Sequence, residues 1–351
     1  MGAGTARGGA CLLISGNVRK NMEFVVFAGV LLLLFIFMIV QELIQTKNQE
    51  KLFKKYLREN YGKEPPKEYS LERFARLGSY LERHKEEKQL DDITWNDLGM
   101  DEVFRRIDRT YSAAGEEYLY YTLRNISCGR EAMEHLEEVV NWLQEQEDIK
   151  VRIQLLMKRL GHLGKYSLYD YLDNLDYLGE RSNRKIVLGN LLYLPFLLLL
   201  FVQPAMGTIG IVLCMLWHIM TYFREKKVIE PYIISFAYVL RLIDVCEELE
   251  KQKIPVYRRE LDELREVLKS LRELRRGSYW VMAGNQGKIG GNPLDILADY
   301  LRMILHLDIF QFNRMLEKLR KKTGQVETML AITGYLDMAI SVGGFRKSLE
   351  G

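Results

Sequence analysis

Proline and cysteine are both scarce in this chain of 351 residues. With 7 prolines and 48% hydrophobic residues, the composition excludes a collagen-like or an intrinsically disordered chain. The cysteines show neither a Cys-x-x-Cys pair nor the Cys/His spacing of a zinc site. They are Cys11, Cys128, Cys214 and Cys246. We therefore expect free thiols in a reducing compartment and no metal ligands.

A strong charge of one sign is also missing. The 50 Lys and Arg residues against 47 Asp and Glu residues leave a formal charge of +3. No overall field therefore draws the molecule to nucleic acid, and any contact with a polyanion has to be local.

Catalytic motifs are missing as well. No two of the 5 histidines stand four residues apart, and there is no GxSxG or HExxH motif. The glycine-rich segment 284–291 does not fit a Walker A loop, because Gly284 and Gly287 bracket two residues where four are needed. Ile289 also follows Lys288 in place of Ser or Thr. The sequence therefore predicts no enzyme, with no catalytic, cofactor-binding or metal-ligating residue.

Three uncharged apolar runs stand out against an otherwise polar chain. They cover residues 24–40, 186–202 and 207–223, and each forms about 26 Å of helix, close to the hydrocarbon thickness of a bilayer. The sequence predicts three transmembrane helices, the last two forming a hairpin. A cleaved signal peptide is the alternative for the first run, and a hairpin buried in a soluble protein is the alternative for the other two.

Basic residues flank these runs on the sides that we expect to face the cytoplasm. The connection between the second and third runs carries no charge. The flanking residues are Arg181, Arg184 and Lys185 before the hairpin, Arg224, Lys226 and Lys227 after it, and Lys47, Lys51, Lys54, Lys55 and Arg58 after the first run. The sequence predicts a multi-pass protein of a bacterial-type cell membrane with its bulk in the cytoplasm.

The polar segments have apolar residues at helical intervals, and none alternates like a strand. We predict an all-α fold with long antiparallel helices. Asn292 followed by Pro293 and Asp295 marks one helix start. The predicted regions are an N-terminal anchor at 1–45, a charged helical linker at 46–90, a helical region at 91–185, the transmembrane hairpin at 186–223 and further helices at 224–351.

A basic cluster lies near the end of a predicted helix over 257–276. Its members are Lys269, Arg272, Arg275 and Arg276. Cations in a last turn complement the helix dipole and aid solubility, which accounts for them without a ligand. Contact with DNA or another phosphate is the functional alternative, and these four residues are the candidates for it.

Three short blocks resemble the helical core of MutS proteins. The blocks are TWNDL at 94–98, RTYSAAG at 109–115 and YLYYTLR at 118–124. The family-motif residues with a structural role are Thr110, Ser112, Gly115 and Arg124. Independently of the resemblance, Ser112 is suited to cap a helix, and Gly115 leaves room for another backbone to approach closely.

A fourth block near the end of the chain, GYLDMAI at 334–340 with FRK at 345–347, is similar to the core helix that leads into the family's ATPase domain. The resemblance covers roughly 91–160 and 293–350. It implies a homodimer whose core helices transmit nucleotide-driven changes from paired ATPase domains to a DNA clamp. It also implies that ATP and magnesium bind only in that ATPase domain, which we expect to be missing from this chain.

The sequence departs from the mismatch-repair pattern in three places. An anchor and linker stand where the family has its mismatch-reading domain, and the apolar hairpin interrupts the lever and clamp region. The sequence reaches residue 351 at the point where we expect the family's ATPase domain to begin. The resulting hypothesis is a membrane-tethered MutS-like core, coupled to an ATPase domain or partner and in contact with DNA. The alternative hypothesis, which the near-neutral charge favours, is a membrane-anchored helical scaffold that recruits protein partners and has no nucleic-acid role.

Overall fold

The computed structural model describes residues 33, 36–41, 43–63, 69, 71–85, 88–126, 129–163, 167–272 and 293–350. The chain divides into two compact units, Met1–Tyr56 and Leu57–Gly351. In the first unit, residues 36–41 and 43–56 are helical. The side chains of Ile36 and Phe37 are exposed there. Most of the predicted anchor at 24–40 lies outside the described residues.

Among the described residues of the second unit, helices joined by turns make up the regular structure, and only an isolated bridge between Gln89 and Asn125 has extended pairing. The predicted all-α fold is thus confirmed for the described part of the chain. The helices, in order, are α1 (Leu71–Arg83), α2 (Asp92–Asp97), α3 (Met100–Ile107), α4 (Ala113–Arg124), α5 (Arg130–Glu145), α6 (Glu147–Leu160), α7 (Leu168–Asp173), α8 (Arg184–Leu191), α9 (Tyr193–Val202), α10 (Pro204–Glu250), α11 (Arg258–Leu271), α12 (Pro293–Leu305), α13 (Leu307–Arg320) and α14 (Thr323–Leu349). Short 3₁₀ turns cover Asn174–Leu178 and Pro255–Tyr257.

Local sequence explains where several helices begin. The side chain of Asp91 accepts a hydrogen bond from the Thr94 backbone at the start of α2, and Ser167 caps α7 in a similar way. Helix α12 begins at Pro293, where the sequence predicts a start. These caps satisfy backbone N–H groups that have no partner within the helix.

Helix α14 is the centre of the second unit. Helices α4, α5, α6, α10 and α11 all pack on it. It is one of three described helices that are long and apolar enough to cross a membrane. However, 72% of its most apolar 18-residue stretch is buried inside the protein. Its apolar composition therefore serves the core, since a helix surrounded by neighbours is hydrophobic on every side.

The other two such segments are Arg184–Val202 and Pro204–Glu230. Only 6% and 28% of their most apolar 18-residue stretches are buried. They form the predicted hairpin, with Gln203 alone between the helices. The two helices approach closely: a Cβ atom added at Gly207 would lie 2.7 Å from the backbone nitrogen of Leu200. The break between α8 and α9 comes just before Pro195, which cannot donate a backbone hydrogen bond to the preceding turn.

Helix α10 joins this hairpin to the core. Its 47 residues span about 70 Å at 1.5 Å per residue. The first part belongs to the apolar hairpin, whereas Phe236, Leu242 and Leu249 in the second part are buried in the main core. One continuous helix therefore connects the exposed apolar surface with the centre of the fold.

Candidate functional site

The start of α4 lies against the middle of α14, so that the block at 109–124 meets the block at 334–347. Ser112 has an extended backbone, and its hydroxyl oxygen accepts a hydrogen bond from the Gly115 backbone at 3.1 Å. Ser112 is therefore the N-cap that the sequence predicts. We call the contact between these two helices the α4–α14 junction.

The carboxylate of Asp337 is the polar centre of the α4–α14 junction. It is 1% exposed and accepts hydrogen bonds from the backbone of Tyr111 at 3.0 Å, the backbone of Ser112 at 2.8 Å and the Ser112 hydroxyl at 2.6 Å. A buried carboxylate is costly unless donors surround it, and these donors stand at the positive end of the α4 dipole. Asp337 thus fixes the position of α14 along α4.

Two glycines allow the helices to come this close. A Cβ atom at Gly115 would lie 2.6 Å from Cβ and Cγ of Asp337, and a Cβ atom at Gly334 would lie 2.6 Å from the carbonyl oxygen of Ala114. Each glycine faces the other helix. Any side chain at either position would force the backbones apart.

The turn before α4 is also held by buried polar groups. Ser341 of α14 accepts a hydrogen bond from the Arg109 backbone at 2.7 Å and donates one to the carbonyl of Ile107 at 2.6 Å. Asp108, which is fully buried, accepts from the backbone of Thr110 at 3.0 Å and from its hydroxyl at 2.6 Å. The turn is therefore rigid, and Thr110 is one of the groups that shape it.

Buried charges continue along the next residues of α4. Glu116 pairs with Arg73, with Arg76 at 2.8 Å and with His162 at 3.4 Å. Burial alone would raise the pKa of Glu116, but the hydrogen bond from His162 and the charge of Arg73 outweigh it and lower that pKa. Glu117 differs, because burial is the largest influence on it and raises its pKa to about 8 against the opposing charge of Arg76. Glu117 is therefore mostly protonated at neutral pH.

Arg124 lies at the opposite end of α4, about 18 Å from the start of the helix. Its guanidinium stacks over the Trp95 ring at 4.4 Å and donates to the carbonyl of Leu90 at 3.0 Å and to Asp92 at 2.8 Å. The structure thus brings Thr110, Ser112 and Gly115 together but places Arg124 apart from them. Arg124 anchors the segment before α2 to the end of α4.

The predicted phosphate-contact residues are only partly described. Lys269 is exposed on α11, and its ammonium pairs with Glu266 at 2.6 Å. Arg272 is exposed directly after α11. Arg275 and Arg276 lie outside the described residues. The geometry of a basic patch at this position therefore stays a prediction.

Sequence reasoning missed the buried charged residues that surround the α4–α14 junction, chiefly Asp108, Glu116 and Glu117. In the sequence, an acidic pair just after a helix start is typical of a favourable interaction with the helix dipole. Only the folded structure, in which Arg73 and Arg76 of α1 pair with Glu116, reveals that both glutamates are buried. Asp337 was visible within the fourth block but carried no local signal of its hydrogen bonds.

Within the described ranges, no group of three or more His, Cys, Asp or Glu side chains could hold a metal ion. Comparison with protein families, curated proteins and solved structures finds no match to this chain. The α4–α14 junction is an arrangement of buried hydrogen bonds and close backbone contacts, which suits mechanical coupling between helices.

Replacing Gly334 with alanine should destabilise the protein by about 2 kcal/mol, because the new methyl group meets the Ala114 carbonyl and must push α4 away. Gly324→Ala on the same helix is the matched control, since nothing lies within 4 Å of its added Cβ. The control should be neutral or stabilising by up to about 1 kcal/mol. Thermal unfolding of the purified chain measures both, and equal melting temperatures would contradict the close crossing.

Replacing Glu117 with glutamine should remove a pH dependence of stability. The folded pKa of about 8 exceeds the ordinary value of 4.5, so the folded state holds this proton more tightly. The stability that comes from this residue is complete below pH 4.5 and is lost as the pH rises towards 8. We expect Glu117→Gln to unfold like the native protein at pH 5 and to be more stable by about 2–4 kcal/mol at pH 8.5.

Denaturant unfolding followed by tryptophan fluorescence at the two pH values measures this difference. Glu131→Gln, at an exposed position on α5, is the control. It should change the stability by the same small amount at both pH values. A native-like pH profile for Glu117→Gln would show that Glu117 is ionised in the folded protein.

Proposed function

We propose that this chain is the membrane-tethered helical core of a MutS-like protein, coupled to an ATPase domain or partner and acting on DNA. The observation that carries the proposal is the α4–α14 junction. The blocks at 109–124 and 334–347 resemble parts of one family core, although about 200 residues separate them. The structure packs them against each other through Asp337, Gly115 and Gly334. A packing contact between the blocks is what a shared family core requires.

The proposed membrane attachment rests on the exposed apolar surface of the hairpin. None of the ten residues of α9 is buried, and Leu198 and Phe201 are 69% and 89% exposed. A continuous apolar surface of this length in water would favour aggregation, whereas in a bilayer it is favourable. Basic residues at the outer ends and an uncharged turn support the proposed orientation, with the bulk of the protein in the cytoplasm.

The proposed mechanism is mechanical. Helix α10 belongs to the hairpin at one end and to the core at the other, so a tilt of the hairpin moves the second half of α10 against α14. The buried hydrogen bonds of Asp337 then pass this movement to α4 without local deformation. In this proposal the protein is a homodimer, and ATP and magnesium bind to the ATPase domain or partner.

Cysteine labelling tests the membrane topology. In a background with Cys11 and Cys128 replaced by serine, Gln203→Cys lies in the hairpin turn and Tyr177→Cys lies on the proposed cytoplasmic side, where residue 177 is 86% exposed. A membrane-impermeant maleimide should label residue 203 in intact cells and residue 177 only after permeabilisation. Labelling of neither position, or of both, in intact cells would contradict the proposed topology.

Anisotropy of a fluorescent DNA duplex tests the nucleic-acid role. The full chain in nanodiscs should bind the duplex with an affinity that falls as salt rises from 50 to 200 mM, on the order of the steep dependence that phosphate contacts cause. Lys269→Glu with Arg272→Glu should weaken binding by about tenfold or more. Lys251→Glu with Lys253→Glu changes the same charge at exposed positions near the other end of α11 and should have a smaller effect.

If no salt-dependent DNA binding occurs while the topology is as proposed, the chain is better described as a membrane-anchored scaffold for protein partners. The formal charge of +3 and the ion pair between Lys269 and Glu266 are the observations that favour this second function.

A further inference from the structure

A cavity of about 580 Å³ lies at the polar end of the apolar hairpin. Its walls come from the segment that leads into α8, from the middle of α10 and from the start of α13. The volume is within the range of small-molecule sites, and the cavity is separate from the α4–α14 junction.

Two buried histidines of this cavity each present an unpartnered ring nitrogen. His218 is 2% exposed, and its Nδ1 lies 2.8 Å from the carbonyl of Ile304. Because a carbonyl only accepts, Nδ1 carries the proton and Nε2 has a free lone pair, without a hydrogen-bond partner in the described part of the chain.

His306 is 6% exposed, and its Nε2 lies 3.4 Å from the hydroxyl of Thr221. That hydroxyl donates to backbone carbonyls of its own helix, so it accepts from His306 and leaves the Nδ1 lone pair unpartnered. Burial lowers the pKa of His306, and the neighbouring His218 lowers it further, which keeps this ring neutral.

Asn313 supplies a third acceptor. It is 8% exposed, and its amide nitrogen donates to the side-chain oxygen of Asn183 at 2.9 Å. Its own side-chain oxygen has no partner among the described residues. A buried polar group without a partner is unfavourable, so three acceptors around one cavity indicate a ligand with hydrogen-bond donors.

The backbone around the histidines is also unusual. His306 has φ 53°, and it is the one residue other than glycine with a positive φ among those described. This backbone conformation is unfavourable for a residue with a Cβ atom. A Cβ atom at Gly189 would lie 3.3 Å from Nε2 of His218, so the backbone of α8 approaches this ring closely. Strain and close backbone approach are both common at binding sites.

Cations line the same cavity. Arg181 pairs with Glu225 at 2.5 Å, whereas Lys185 and Arg224 have no carboxylate within ion-pair distance among the described residues. Both lie near the polar ends of the apolar helices. His218 comes six residues before Arg224 on α10, which is about 9 Å along the axis. Glu180 also lines the cavity, so three cations stand beside two carboxylates there, and the acceptors lie further along the apolar hairpin.

We infer that this cavity binds a glycerol phosphate group with a free hydroxyl, its phosphate on Lys185 and Arg224 and its hydroxyl donating to the acceptors around His218 and His306. The same group occurs in a lysophospholipid and in free glycerol phosphate. A lysophospholipid would place its phosphate outward, its glycerol hydroxyl deeper and its single acyl chain along the exposed hairpin. The lipid source rests on the membrane attachment proposed above, whereas the chemistry of the cavity does not.

Native mass spectrometry of the full chain in a mild detergent tests this inference with four probes. They are 1-myristoyl lysophosphatidic acid, dimyristoyl phosphatidic acid, which has no free hydroxyl, monomyristoyl glycerol, which has no phosphate, and glycerol 3-phosphate. Lysophosphatidic acid should bind at least about tenfold more tightly than the diacyl lipid and the monoacylglycerol.

Variants locate the binding. Lys185→Gln with Arg224→Gln should weaken binding of lysophosphatidic acid by about tenfold or more, whereas Lys227→Gln with Lys253→Gln, a matched loss of two exposed cations, should not. Gly189→Ala should also weaken binding, because its methyl group crowds Nε2 of His218. Circular dichroism checks that each variant is folded.

The remaining outcomes separate this inference from the proposed function. Glycerol 3-phosphate could bind tightly while Gln203→Cys is never labelled from outside the cell. That result would support the cavity inference and contradict membrane attachment. The proposed topology with no binding of any phosphate probe would overturn the inference alone. The inference would also be overturned if the diacyl lipid bound as tightly as lysophosphatidic acid, or if both double variants bound lysophosphatidic acid with the same affinity. Either result would mean that anionic lipids adhere to surface cations only.

Discussion

The fold of the second unit depends on one buried carboxylate. Asp337 is surrounded by two backbone N–H groups and a hydroxyl from the start of α4, and this arrangement exists in only one register of the two helices. A shift of α14 by one turn would leave the charge buried without donors, at a cost of about 3–5 kcal/mol. Gly115 and Gly334 are consequences of the same constraint, because the carboxylate reaches its donors only if the backbones are close. Since α5, α6, α10 and α11 also pack on α14, the register set at Asp337 determines their positions too.

Local patterns predicted the helices well where a helix has one apolar face. Leu261, Leu264, Leu268 and Leu271 recur at helical intervals in the sequence, and all four are buried on α11. The hairpin, the cap at Ser112 and the start at Pro293 were also predicted, because each follows from neighbouring residues. The burial of α14 was not predicted, since a helix that is apolar all round looks the same whether lipid or protein surrounds it.

The polar interior could not be predicted for a related reason. Glu116 and Glu117 are adjacent on α4, yet one is ionised against two arginines and a histidine and the other is driven towards its neutral form by burial. The difference comes from side chains on α1 and from the depth of each position, which no local pattern contains. The acceptors at His218, His306 and Asn313 are hidden in the same way, because they come from α10 and α13 and meet only in the folded chain.

The burial of α14 has a consequence for how the chain is made. A segment apolar enough to cross a bilayer can be inserted by mistake during synthesis, yet α14 carries Asp337 near its middle, and an aspartate there disfavours insertion by about 2.5–3.5 kcal/mol. Helices α4, α5 and α6 leave the ribosome before α14, so its protein partners are available when it emerges. The residue that sets the helix register therefore also directs the nascent helix away from lipid and towards its own protein.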